Sequence, residues 1–357
     1  MAYPILSVII PAYNAARTIK RTISSLVDES VDSSLYEIII INDGSSDDTN
    51  IELEELYLRY SMINIFIFHS ENYGVCHARN LGLSQAKGTY ITFVDSDDYV
   101  DPKMISTIIS TVEDNPTVDL WKYGVIEHYS TCDKALYDKV NSVSTDILMS
   151  VDRRISSLLQ LESTPLFGYV CNSIFKRQII ESHKLCFDSQ YIMEDFIFTF
   201  SYFKVSSSMG MIPKIYYHYI LDLESQSLSK KWEPKYYDMY RNKIGLIYTY
   251  MQAQGINDIK MYKQLARLYV RYIYSALERM YRYHESIDTC KMWLQELYTD
   301  DIYIIMCPYM VLPISVLGIL ARLLQQKRTW LIMVVVRVIF FVRVYCKKIF
   351  VILKSRQ

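Results

Sequence analysis

The sequence predicts an α/β protein: a Rossmann-like, mostly parallel sheet with helices on both faces, followed by a helical C-terminal region ending in membrane-associating helices. Three observations carry this prediction. Short β-branched apolar runs alternate with stretches of helical periodicity over roughly the first hundred residues. Turn-forming and acidic residues follow three of those runs, at the strand ends where parallel sheets bind ligands. Finally, Ile302 to Gln357 holds nine Lys/Arg and no Asp or Glu.

The elements follow in order. Ile5-Leu6-Ser7-Val8-Ile9-Ile10 is apolar at nearly every position and stopped by Pro11, as a strand buried on both faces requires. Ile19, Ile23, Leu26 and Val27 recur at helical spacing, and Ile38–Ile41 is a second buried strand, ended by Asn42-Asp43-Gly44-Ser45-Ser46. A helix through Leu53, Leu56, Tyr57 and Tyr60 leads to a strand over Ile63–Phe68. Another helix covers Val75 to Ala86, closed by Gly88, before the strand Tyr90–Val94. Residues 118–230 read as mixed, with a strand over Leu120–Ile126 and helices near 146–161 and 194–206; Pro234 to Tyr298 is helical and rich in Tyr and Met.

Composition narrows the function classes. With 51% apolar and 22% charged residues the chain can build a real core, which excludes disordered, collagen-like and disulfide-stapled classes. The 38 Lys+Arg against 39 Asp+Glu give no global basic field, so no nucleic-acid partner is expected. Removing the nine cations of the tail from the overall −1 leaves −10 on the first 301 residues. Seven cysteines, an odd number without a Cys-x-x-Cys pair, read as reduced packing residues in a cytosolic setting. The first basic residue is Arg17, so the N-terminal apolar run reads as a strand rather than an export signal.

Gly-x-Gly-x-x-Gly and Gly-x4-Gly-Lys-Ser/Thr are both absent, which removes the usual phosphate cradles. Asp95-Ser96-Asp97-Asp98 instead follows a buried strand and precedes Asp101-Pro102, read as a helix N-cap with Pro at the first position. Two acids at i and i+2 can share a hard divalent cation while leaving positions open for a diphosphate; a capped, solvated turn is the plainer alternative. An EF-hand fails, because Tyr99 and Val100 stand where Asp/Asn and Gly are needed.

Ser7–Asn14, Ile41–Asp47, Ala78-Arg79-Asn80-Leu81-Gly82 and Val94–Asp98 together resemble, in order and spacing, the family 2 glycosyltransferases with the GT-A fold. Met193-Glu194-Asp195 resembles that family's later Glu-Asp element; an acidic first turn of a helix is its plainer reading. The resemblance implies a GT-A catalytic domain over 1–230 (nucleotide-binding half 1–105, acceptor-binding half 106–230), a helical region 231–300 and a tail 301–357. It further implies that Pro11, Ala12, Tyr13 and Asn14 line a uracil pocket with Tyr13 stacked on the base. Asp43 would accept the uracil N3–H, Arg79 would lie near the diphosphate, and Asp95, with Ser96, would contact the nucleotide-sugar. Asp97 and Asp95 would hold Mn2+ or Mg2+, with His218 as a further candidate ligand from a late loop. Asp195 would be the general base and Glu194 an acceptor-positioning residue. Ser227-Leu228-Ser229 lacks the Arg that relatives often carry before it, which puts the late phosphate contact in doubt. The implied activity is that of a metal-dependent, inverting hexosyltransferase taking a UDP-sugar donor to a saccharide or lipid-linked saccharide acceptor in exopolysaccharide, capsule or O-antigen synthesis. A processive synthase and a catalytically silent sugar-nucleotide-binding protein are the alternatives, and a nucleotidyltransferase is disfavoured by the Gly-poor first loop Ala12–Ala16.

In the tail, Ile302 to Ala321 is uncharged and long enough to cross a bilayer, although Pro308, Pro313 and Gly318 favour a helical hairpin as the alternative. Over 331–354, Arg337, Arg343, Lys347, Lys348 and Lys354 share one helical arc, together with Phe340, Val344 and Val351, and Val338, Phe341, Val342, Ile349 and Ile352 share the other, a partial segregation. Such a helix suits the plane of an anionic lipid surface. A single crossing would put the cations opposite a cytoplasmic catalytic domain, so attachment to the cytoplasmic face of the cell membrane is expected to be peripheral or monotopic. Gln325–Trp330 nearly reads Gln-x-x-Arg-Trp, but the inserted Thr329 spoils the match.

Overall fold

Every residue of β1 (Leu6–Ala12) is buried, as an unbroken apolar run is in the middle of a sheet covered on both faces. The computed structural model describes residues 4–131, 134–189, 193–222 and 235–345. The chain divides into two compact units, 1–225 and 226–357.

The first unit runs β1, α1 (Ile19–Leu26), β2 (Tyr36–Asp43), α2 (Thr49–Arg59), β3 (Ile65–Ser70), α3 (Val75–Gln85), β4 (Tyr90–Phe93), β5 (Tyr99–Val100) and α4 (Met104–Asp114). It continues with β6 (Leu120–Thr131), β7 (Lys134–Asn141), β8 (Asp146–Leu148), α5 (Val151–Ser163), β9 (Ser173–Lys176), α6 (Arg177–Ser182), α7 (Glu194–Val205) and β10 (Met209–Asp222). The strands form a ten-stranded sheet in the order β3-β2-β1-β4-β9-β6-β10-β5, with β7 beside β6 and β8 beside β10. Leu6 lies opposite Tyr36 on one side and Tyr90 on the other, so β1, β2 and β4 end at one edge. Gly82 lets α3 lie directly on β1, since a Cβ there would come within 2.4 Å of Ile9 Cγ2.

The expected mostly parallel sheet is corrected beyond β4. β9 fills the gap between β4 and β6 antiparallel to both, and β5, β7 and β8 also pair antiparallel, so the sheet is mixed. β9 has only four residues, too few to show a period in the sequence. Three local expectations change as well. Residues 146–148 are a strand, and the helix expected there starts at Val151, with Ser150 Oγ accepting from Arg153 N. Asp101 does not cap α4, which starts at Met104; its carboxylate accepts from Lys103 N at 2.9 Å. His218 lies in β10 rather than in a loop, opposite Tyr99 of β5.

The second unit is helical: α8 (Tyr236–Ala253), α9 (Ile259–Arg282), α10 (Ile287–Leu297), α11 (Asp301–Met306), α12 (Val316–Gln325) and α13 (Thr329–Tyr345). Leu265, Tyr269, Tyr272, Ile273 and Ala276 of α9 form its buried stripe at helical spacing. The uncharged stretch 302–321 is not one span, and no helix among the described residues is long and apolar enough to cross a membrane. The chain breaks at Pro308 and Pro313, and a Cβ on Gly318 would lie 1.9 Å from Pro313 O, so α12 starts tight against the preceding turn. Tyr303 Oη donates to Leu324 O at 2.7 Å and Gln325 Nε2 to Cys307 O at 2.9 Å, which ties α12 back onto α11. Ser227–Ser229, Cys132, Cys346 and the cations Lys347, Lys348 and Lys354 lie outside the described residues.

Candidate active site

The loops after β1 and β2 fasten to each other. Asn14 adopts φ 50°, its Oδ1 accepts from Ser46 N at 2.8 Å, and its own N donates to Ser45 Oγ at 2.9 Å. Ala15 N donates to Thr49 Oγ1 at 2.8 Å, and Asn42 Oδ1 accepts from Ser45 N at 3.1 Å. Gly44, at φ 69°, has Asn72 N only 2.7 Å from where a Cβ would stand, so both conformation and space require glycine. Pro11 and Ala12 are buried at the end of β1, while the next side chain, Tyr13, is exposed beyond the sheet edge.

Asp43, buried at the end of β2, organises the entry to α3. One carboxylate oxygen accepts from Ser70 Oγ and Tyr73 N, each at 3.1 Å, and the other from Gly74 N at 2.8 Å. A carboxylate has about four acceptor sites, so these three bonds leave room for one further donor such as an imide N–H.

Five residues into α3, Arg79 joins the separate acidic stretches. Its Nη1 lies 2.5 Å from Asp195 Oδ1 and 3.7 Å from Glu194 Oε1, and its Nη2 lies 3.1 Å from Asp95 Oδ1. The guanidinium is buried, whereas the Asp95 and Asp195 side chains remain 30% and 31% exposed. Burial alone would lower the Arg79 pKa, but Asp195, Asp95 and Glu194 together raise it. Burial pushes the Asp195 carboxyl up to about 7, against the pull of Arg79 and with help from Glu194 and Asp95. Both acids also sit in the first turn of α7, where the helix dipole favours negative charge.

The neighbouring Asn80 fixes the approach to α7. Its Nδ2 donates to Phe187 O at 2.7 Å and its Oδ1 accepts from Phe187 N at 2.8 Å. The Phe187 ring lies 5.3 Å from the Arg79 guanidinium and stacks on Phe198 of α7 at 4.1 Å. The Ala78–Gly82 motif thus sets Arg79 under three carboxylates, holds the 187 segment and seats the helix on β1.

In the Asp95–Asp98 loop, alternate acids face different surroundings. Asp98 is fully buried: one oxygen accepts from Tyr217 Oη at 2.6 Å and the other from Ile220 N at 2.8 Å. Tyr217 Oη also accepts from Asp95 N at 3.1 Å, and Thr22 Oγ1 donates to Ser96 O and Asp98 O at 3.0 and 2.6 Å. Arg21 Nη2 reaches Asp97 O. With the loop held from α1 and β10, Ser96 is half-buried and Asp97 is exposed. Desolvation by the loop, followed by the Asp95 charge, raises the Asp97 carboxyl. Two carboxylate oxygen donors side by side, with the Asp95 charge disfavouring ionisation of Asp97, suit a hard divalent cation, which would relieve that repulsion. Among the described residues no group of three or more His, Cys, Asp or Glu gathers as a metal cage, so further ligands would have to come from substrate or water.

His218 Nδ1 lies 2.8 Å from His128 Nε2, and its ring stacks on Tyr99 at 4.3 Å; His128 Nδ1 in turn meets Asp138 Oδ1 at 2.8 Å. Sequence reasoning missed Asp98, Tyr217, Thr22 and Asn80 as organisers, and also Lys122. That buried ammonium donates to Phe167 O, Tyr169 O and Ser173 Oγ at 2.7, 2.9 and 2.6 Å, and burial pushes its pKa down to about 7. Asn80 and Asp98 stood inside noted motifs, but nothing in the sequence gave their distant partners.

Residues 7–183 match the family described as Glycosyl transferase family 2. The chain is 30% identical over 217 residues to the uncharacterized glycosyltransferase EpsJ of Bacillus subtilis, covering 60% of this chain and 61% of that one. It is 29% identical over 227 residues to the poly(ribitol-phosphate) beta-N-acetylglucosaminyltransferase TarP of Staphylococcus aureus, covering 62% and 64%. The matched segment therefore spans less than two thirds of these relatives. The crystal structure of S. aureus TarS 1–349 in complex with UDP-GlcNAc shares the fold, with a TM-score of 0.64 at 18% identity over 93% of this chain and 90% of that one. Residues 7–183 are thereby identified as a glycosyl transferase family 2 domain.

Proposed function

We propose that the protein is an inverting glycosyltransferase moving a sugar from a UDP-sugar to a hydroxyl of a saccharide or lipid-linked saccharide acceptor, in the synthesis of bacterial exopolysaccharide, capsule or O-antigen. The observation that carries the reading is the Arg79 hub, which gathers Asp95 from the end of β4 and Glu194 and Asp195 from α7. Pro11, Ala12, Tyr13 and Asn14 bound the uridine side, and Asp43 accepts the imide proton that distinguishes uracil from cytosine. Asp95 and Asp97 would hold Mn2+ or Mg2+, which when bound neutralises charge on the departing diphosphate. Asp195 takes the proton of the acceptor hydroxyl as its oxygen attacks the anomeric carbon; a carboxyl poised near 7 suits that transfer. Glu194 orients the acceptor. One displacement inverts the anomeric centre, so an α-linked donor yields a β-glycoside. A UDP-sugar donor implies a site on the cytoplasmic side of the membrane.

UDP-GlcNAc is the first donor to test, given the TarP name and the TarS complex. A panel of UDP-sugars with Mn2+, scored for UDP released with and without lipid extract, should show acceptor-dependent release with one or two donors. Failure to release UDP from any donor in the presence of extract would overturn the proposal.

A further inference from the structure

The last described helix turns its apolar arc outward. Trp330, Leu331, Val334, Val338 and Phe341 of α13 are between 38% and 69% exposed, whereas Ile332 and Val336 are buried. At about 100° per residue the five exposed side chains fall within one arc of roughly 100°, and Ile332 and Val336 lie across the helix from it. Hydrophobic burial within the unit therefore uses the narrower side of α13 and leaves its aromatic edge in solvent. Arg337 borders the stripe, its Nε 3.3 Å from Tyr281 Oη. Beside it a cavity of about 520 Å³ opens between the end of α9, α10 and α13, lined by Arg282, Glu285, Lys291, Trp330, Arg337 and Phe341 among others. Glu278 and Asp288 pair with Arg282 and Lys291, whereas Arg337 meets a phenol.

We propose that this stripe is a monotopic membrane-insertion edge: α13 lies in the plane of a bilayer rich in anionic phospholipid, its five apolar side chains among the acyl chains. Arg337 and the turn cations Lys327 and Arg328 meet lipid phosphates, and Trp330 sits at the interface, where indoles are enriched. Charge complementarity selects this occupant. From Ile302 onward the chain carries nine cations and no acid, so a second copy of the same segment would oppose like charge to like charge. The inference does not depend on the transfer reaction.

The test is sedimentation of the full chain with vesicles of phosphatidylcholine alone or containing about one-third phosphatidylglycerol. The parent should bind the anionic vesicles, and V334E/F341E should partition at least tenfold more weakly while keeping the parent's circular dichroism and melting profile. Trp330→Phe should lose most of the blue shift in emission that the vesicles cause. The proposal falls if the parent ignores anionic vesicles, if V334E/F341E sediments like the parent, or if the substitutions dissociate a soluble dimer that never bound lipid.

Discussion

Replacing Arg79 by methionine removes the cation that holds Asp195 ionised while keeping a side chain of similar length. Two unit charges about 4 Å apart attract by roughly 4 kcal/mol at an effective dielectric near 20. The Asp195 side chain is 31% exposed and Arg79 also serves Asp95 and Glu194, so the effective loss to Asp195 is about 1–2 kcal/mol. At about 1.4 kcal/mol per pKa unit, that lifts the carboxyl about one unit, above the value near 7 it holds with Arg79 present. A general base works only when deprotonated, so activity should rise with pH through this value, and the variant should need a higher pH. At neutral pH the ionised fraction drops from about a half to about a tenth, a roughly fivefold loss that closes again on the alkaline side. The assay is UDP release at saturating donor from about pH 6 to 9.5. Acidic limbs with the same midpoint in parent and Arg79→Met would refute the role given to the hub. Arg79→Lys, which keeps charge but loses the fork, should fall between them.

Three further predictions concern the scaffold and the cation. Tyr217→Phe removes the hydroxyl that donates to Asp98 and accepts from Asp95 N; it should cost about 1–3 kcal/mol in denaturant unfolding and weaken UDP binding by calorimetry. Gly82→Ala drives a methyl to 2.4 Å from Ile9 Cγ2; overpacking of about 1–3 kcal/mol should lower the melting temperature and slow turnover by moving Arg79, and an unchanged melt would contradict the close approach. Asp97→Asn should bring UDP affinity in Mn2+ down to what the parent shows in EDTA, whereas an undiminished Mn2+ effect would remove Asp97 from the cation site.

The first four strands were legible because each is an apolar run stopped by turn chemistry, as at Pro11 and Asn42–Ser46. β10 was not, since Pro213 interrupts it and its register with β6 shifts between Ile212 and Ile215, so the pattern around His218 read as a loop. The acids were legible as residue types at strand ends, but their division of labour was not. Buried Asp98 and exposed Asp97 are neighbours in sequence, and the Asp98 carboxylate is set apart by Tyr217 and the Ile220 amide, more than a hundred residues away. Arg79 is a similar case: helical spacing could not show that its guanidinium is buried beneath α7, because that depends on Asn80 gripping the 187 segment.

The measurement bearing most directly on the account compares Asp195→Asn with the parent for UDP binding and for acceptor-dependent UDP release. Asparagine keeps the shape at the head of α7 but accepts no proton, so binding should stay within about threefold while turnover falls by about 10²–10⁴. Equal turnover by the two proteins would contradict the claim that the carboxylates gathered by Arg79 form one catalytic centre.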